Sequence, residues 1–107
     1  MKHPTKLRIG AYTYQVKMDP KLSEVANVLG TCLSDSLIIL VDHNLPDELE
    51  AETLLHEALH AIWHQTSLAK KYNDEEEEYI VWQISPHIFR MLRENPRLVE
   101  WLTQAGR

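Results

Sequence analysis

A chain of 107 residues fits one domain, and its 44% hydrophobic and 25% charged content excludes a disordered or collagen-like polymer. Sixteen acidic against eleven basic side chains leave a net charge of −5, the wrong sign for a nucleic-acid-binding face. A single cysteine, Cys32, excludes an internal disulfide, and the longest apolar run, residues 37–41, falls far short of the roughly 20 residues of a membrane-spanning helix. These features predict a cytoplasmic protein with neither a nucleic-acid nor a membrane partner; they leave the oligomeric state open.

Residues 7–9 and 12–17 are β-rich and partly alternating, with Gly10-Ala11 as a bulge or bend between them. Met18-Asp19-Pro20 ends the second stretch, and residues 23–29 are ambiguous, open to a short helical turn. Residues 31–33 and 37–41 flank Ser34-Asp35-Ser36 and predict a hairpin; its second arm is apolar throughout, which implies burial on both faces or a cover of helices. Asp47 reads as an N-cap with Glu50 completing a capping-box variant. The helix it opens runs to about Gln65, with Leu55, Leu59 and Ile62 at i, i+4 and i+7. After a linker at 67–74, a second helix is predicted over 75–93, with Val81, Ile84, Ile88 and Leu92 along one face. Asn95-Pro96 reads as an N-cap and first helical residue, opening a short helix toward Ala105. The expected fold is a single α+β domain over 1–107: a small antiparallel sheet in 1–45 followed by three helices in 47–107.

The first long helix contains His56-Glu57-Ala58-Leu59-His60, an HExxH sequence. Side chains four apart on a helix lie about 40° apart around the axis and about 6 Å along it. Two imidazoles so placed can share one ion at Zn–N distances of about 2.0–2.1 Å. Glu57, about 100° round from His56, is poorly placed as a ligand, yet it can take a proton from a water that the metal activates. This composition yields roughly 0.03 chance matches per sequence, so a mid-helix match points to a metal site over two incidental histidines.

A catalytic zinc takes three protein ligands and keeps one position open. A third histidine six residues past His60, after a turning glycine, is missing: positions 63 and 66 are Trp63 and Thr66. His64 lies about 12 Å along the axis from His56, too far for all three to share one ion; it reads as a residue that flanks or supports the pair from behind, or equally as a surface histidine. The glutamates at 75–78 offer the other route. Glu78, three before Val81 and seven before Ser85, falls on the inward face, and Glu77 is nearly as well placed; Glu75 and Glu76 favour the helix N-terminus. Elsewhere, Cys32 reads as a buried strand thiol, His43 as a loop residue and His87 as surface. Trp63, Trp82 and Trp101 read as core or interface packing. Tyr72 and Tyr79 are near enough in sequence to donate to an oxyanion, without further support.

The HExxH followed by a helical glutamate resembles the gluzincin arrangement. More closely, Thr53-Leu54-Leu55-His56-Glu57-Ala58-Leu59-His60-Ala61-Ile62 resembles small phage and prophage zincin-like proteins, related in outline to ImmA/IrrE-type metallopeptidases. Glu78-Tyr79-Ile80-Val81 to Ile84-Ser85 and Glu94-Asn95-Pro96-Arg97-Leu98 extend the likeness over about positions 30–102. The resemblance implies a minimal zincin fold with one Zn2+ per chain on His56 and His60, and Glu57 as general base. In that pattern a glutamate precedes small or apolar residues at +3, +6 and +7; here these are Val81, Ile84 and Ser85, which selects Glu78 as third ligand. It further implies a zinc metalloendopeptidase acting on a peptide or protein laid against an edge strand, either residues 37–41 or its neighbour. Tyr79-Ile80 departs from the polar and acidic residues usual there, which bears on activity more than on metal binding. The alternative expectation is a zinc-binding regulatory or interaction module of the same fold with little or no catalysis.

Overall fold

The computed structural model describes residues 2–107 and has an α+β fold with one four-stranded sheet and five helices. β1 (Lys6–Ile9) and β2 (Tyr12–Asp19) form an antiparallel pair. Along β2 the period of two is plain: Tyr14 and Val16 are buried while Thr13, Gln15 and Lys17 face water. The chain then passes through α1 (Leu22–Ala26), where Asn27 ends the helix in the left-handed region that asparagine tolerates. β3 (Gly30–Leu33) and β4 (Ile38–Asp42) form the expected hairpin. The sheet order is β1-β2-β4-β3, with β2 and β4 parallel. The wholly antiparallel sheet expected from the sequence is therefore corrected to a mixed one. The chain travels through α1 and β3 before β4, so β4 enters beside β2 in the same direction and β3 takes the outer edge.

Four helices follow: α2 (Asp47–His64), α3 (Leu68–Lys71), α4 (Asp74–Glu94) and α5 (Pro96–Gln104). Asp47 is the first helical residue of α2 and Pro46 holds the cap position without a side-chain bond, so the expected capping box is absent there. It forms at α4 instead: Asn73 Oδ1 accepts from Glu76 N at 2.8 Å, and Glu76 Oε1 accepts from Asn73 N at 3.0 Å. The expected linker at 67–74 contains the single turn of α3. Asn95 donates Nδ2 to the Met91 carbonyl at 2.8 Å, closing α4 rather than opening α5 with its side chain.

The core joins Ile9, Tyr14, Ile39, Val41 and Ala61, with Leu54 and Ala58 packed against it. The face that α2 turns to the sheet is thus 54-58-61, one residue before the expected 55-59-62, and Ile62 is exposed. On α4 the buried positions are Glu77, Val81 and Ser85, and Ile84 is exposed. On α4 the shift has a clear cause: histidine and carboxylate side chains occupy its seam with α2, so burial there does not follow hydrophobicity. No helix among the described residues is long and apolar enough to cross a membrane.

Gly10 turns the chain between β1 and β2 at φ +57°. Just past α2, Gln65 clamps this turn, its Nε2 donating to the Ile9 carbonyl at 2.7 Å and its Oε1 accepting from Ala11 N at 3.0 Å. A Cβ at position 10 would run into that Oε1. Gly10→Ala is expected to lose about 1–2 kcal/mol from the left-handed backbone alone. A thermal melt should read this as roughly 4–8 °C per kcal/mol.

Asp42, buried at the end of β4, accepts from Ser23 N at 2.8 Å and Asn44 N at 2.8 Å. The Ser23 bond, then the Asn44 bond, hold its carboxyl below the usual carboxylate range. Because the folded value is depressed, the stabilisation is present above the unfolded value near 3.8 and is lost as pH falls through the folded one. Thermal melts between about pH 5 and about pH 2 should show wild type losing more stability than Asp42→Asn.

Candidate metal centre

The helical repeat puts His56 and His60 on one face of α2, and α4 lies antiparallel across that face. The contacts run in order: His64 and His60 with Glu77, His60 and His56 with Glu78, His56 with Ser85, and Glu48 with Arg93 at the far end. Three donor side chains converge. His56 Nε2 lies 3.2 Å from His60 Nε2 and 3.1 Å from Glu78 Oε1, while His60 Nε2 lies 2.8 Å from Glu78 Oε2. Tetrahedral zinc with bonds of about 2.0–2.1 Å spaces its ligand atoms roughly 3.3 Å apart. The structure thus brings together the two histidines and the Glu78 named from sequence, with ligand atoms within 4.8 Å of one another.

The hydrogen bonds behind the donors test whether this set suits a cation. Glu77 Oε2 lies 2.6 Å from His60 Nδ1. An ionised carboxylate there only accepts, which places a proton on Nδ1; a neutral ring then turns a lone pair from Nε2 toward Glu78 and His56. Lone pairs and a carboxylate facing one another at such separations repel unless positive charge lies among them. A proton can bridge one of these contacts; a divalent ion satisfies all three. His56 is similarly backed, its Nδ1 3.1 Å from Ser85 Oγ. Burial, followed by the neighbouring His60, pushes the His56 pKa down and favours the neutral ligand form, although Glu78 opposes the shift.

Glu57 is 6% exposed, beside the histidines and under β3. The absence of a side chain at Gly30 permits this closeness: a Cβ there would stand 2.7 Å from Thr53 Cγ2 and 3.1 Å from Glu57 Cγ. Burial pushes the Glu57 carboxyl up to about 7, with His60 acting in the opposite direction.

Sequence reasoning left Glu77 and Glu78 as neighbours in competition; the structure gives them separate places. They project about 100° apart around α4. The Glu78 side chain, 59% exposed, meets the Nε2 side of both rings, while that of Glu77, 8% exposed, meets the Nδ1 side of His60 and the Nε2 of His64 at 3.0 Å. His64 in turn bonds Ser34 Oγ in the β3–β4 turn. His64 thus supports the pair from behind, one of its two expected places, whereas Ser34, the backing of His60 by Glu77 and that of His56 by Ser85 were missed. The available signal was the adjacent glutamate pair itself, since successive helix positions can serve two sides of one histidine.

The donors open onto a cavity of about 780 Å³ bounded by α2, α4, β3 and the segment 27–29. The free edge beside it is β3, whereas the arm around 37–41 is interior. Cys32 is half-buried at the cavity wall, and burial raises its thiol pKa. His43, His87, Tyr72 and Tyr79 do not line the cavity. Trp63 is buried, as the core reading expects, whereas Trp82 and Trp101 are exposed, which removes core packing for those two. The chain matches no protein-family model, no curated protein and no solved structure.

Proposed function

We propose that this protein is a zinc-dependent endopeptidase in which His56, His60 and Glu78 hold one Zn2+ and Glu57 is the general base. The observation that carries this reading is the convergence of three metal-binding atoms beside a buried carboxylate and a free strand edge. Zinc held there would supply Lewis acidity to activate a water and polarise a carbonyl. Glu57, brought close to neutral pH by burial, is matched to take a proton from that water and return it to the departing amine. Glu77 and Ser85 fix the rings of His60 and His56, so the donors need little reorganisation.

The backbone of β3 supports the choice of a peptide substrate. The amide of Asp42 donates to the Leu29 carbonyl, so residues 29, 31 and 33 bond toward β4. Gly30 and Cys32 then turn their N–H and C=O groups outward, where an extended peptide can add as a further strand.

Protein purified without nickel resin is expected to carry about one zinc ion per chain and to cleave members of a mixed peptide library. Chelation should abolish cleavage, and one equivalent of zinc should restore it. Cleavage that survives chelation would overturn the proposal. Zinc retained without cleavage would favour the metal-binding interaction module.

A further inference from the structure

The cleft differs from one end to the other. β3 runs alongside α2 in the same direction, since Gly30 lies against Thr53 and Glu57 while Ser34 meets His64. Near His64 the walls carry Asp74 and Glu77. Toward the start of α2 they carry Val28, Leu29, Leu49 and Trp82, large apolar side chains that are all exposed. Trp82 is 62% exposed although it stands only one helical turn beyond Glu78. Pro86, one turn further, has no N–H, so the Trp82 carbonyl loses its usual helical donor beside this wall. Four such side chains from three parts of the chain, gathered around one concavity, present what a ligand's apolar group requires.

Charge narrows the occupant. Five carboxylates line the cavity, Glu52, Glu57, Asp74, Glu77 and Glu78, while no lysine or arginine among the described residues does. Their field opposes acidic residues and tolerates neutral or basic ones.

We infer that the wall formed by Val28, Leu29, Leu49 and Trp82 is a specificity subsite that seats one large aliphatic or aromatic side chain of an extended peptide free of acidic residues nearby. The inference rests on the proposed peptidase function and deepens it by naming the substrate class.

The test separates binding from cleavage. Fluorescein-labelled, end-capped hexapeptides of Ala, Gly and Lys carry Leu, Phe, Ala or Asp at each position in turn. Their binding to the zinc-loaded Glu57→Gln protein is read by fluorescence anisotropy, and their cleavage by wild type by mass spectrometry. At one position Leu and Phe should bind about tenfold tighter than Ala, with Asp weakest. Trp82→Ala, added to Glu57→Gln, should reduce the preference to about threefold or less, and Trp82→Phe should preserve it. Equal affinities, no binding, or a preference that survives Trp82→Ala would each overturn the subsite. Preferential binding without wild-type cleavage would keep the subsite and remove the peptidase reading. Cleavage indifferent to Leu and Ala would do the reverse.

Discussion

Glu57→Gln is expected to leave zinc bound while lowering peptide hydrolysis by about 10²–10⁴-fold. Glutamine matches the shape of glutamate in the tight space beneath Gly30, but its amide cannot accept the proton. Glu57 is outside the converging donor set, so the metal should stay. Metal content by mass spectrometry and turnover of the best-cleaved library peptide check the two halves separately. The amide also carries no charge to be desolvated at a site 6% exposed, so the metal-free variant should melt at or above wild type. That distinguishes loss of the base from loss of the fold. A fall in turnover of less than tenfold with zinc retained would remove Glu57 from its proposed role.

Glu78→Ala and Glu77→Ala should both weaken zinc binding, and for different reasons. Loss of Glu77 removes the acceptor behind His60, an outer-sphere change that typically costs 10–100-fold in metal affinity. Loss of Glu78 removes a donor atom itself and should cost more. Competition against a fluorescent zinc chelator gives both affinities. Their stability effects should run the other way, because the Glu78 side chain is 59% exposed whereas Glu77 lies buried between two imidazoles. Glu77→Ala should therefore lower metal-free stability by about 1–3 kcal/mol, with Glu78→Ala much milder. A larger zinc loss from Glu77→Ala would reverse the proposed roles of the two glutamates.

Local chemistry accounts for what could be read from the residues. The i, i+4 spacing of His56 and His60 needs only a helix to become a pair of neighbours. Alternation in residues 12–17 likewise made β2 legible, and the 3.6-residue period narrowed the acidic run to Glu77 and Glu78. Contacts between distant parts were less accessible. The parallel β2–β4 pair depends on where β3 settles, which no local pattern states. The inward face of α4 was misread at Ile84 because Glu77 and Ser85 are buried by partners on α2 rather than by apolarity. Trp82 shows the same limit: its large apolar side chain suggested packing in the core or at an interface, and no local pattern placed it at the cavity wall.

The sheet order has a consequence for how the chain acquires its site. Every described residue lining the cavity falls between Asn27 and Pro86, so β1 and β2 give it no side chain. β3, β4 and α2 follow one another directly, and the strand edge, Glu57 and both histidines can therefore come together through short loops. The β2–β4 pairing instead joins segments on either side of α1 and β3, the kind of long-range closure that slows folding. During synthesis, α4 emerges after this hairpin-and-helix unit, so the two histidines can be in place before Glu78 arrives. On this order, docking of α4 is the event that completes the three-donor array, which makes it the last part of the site to form.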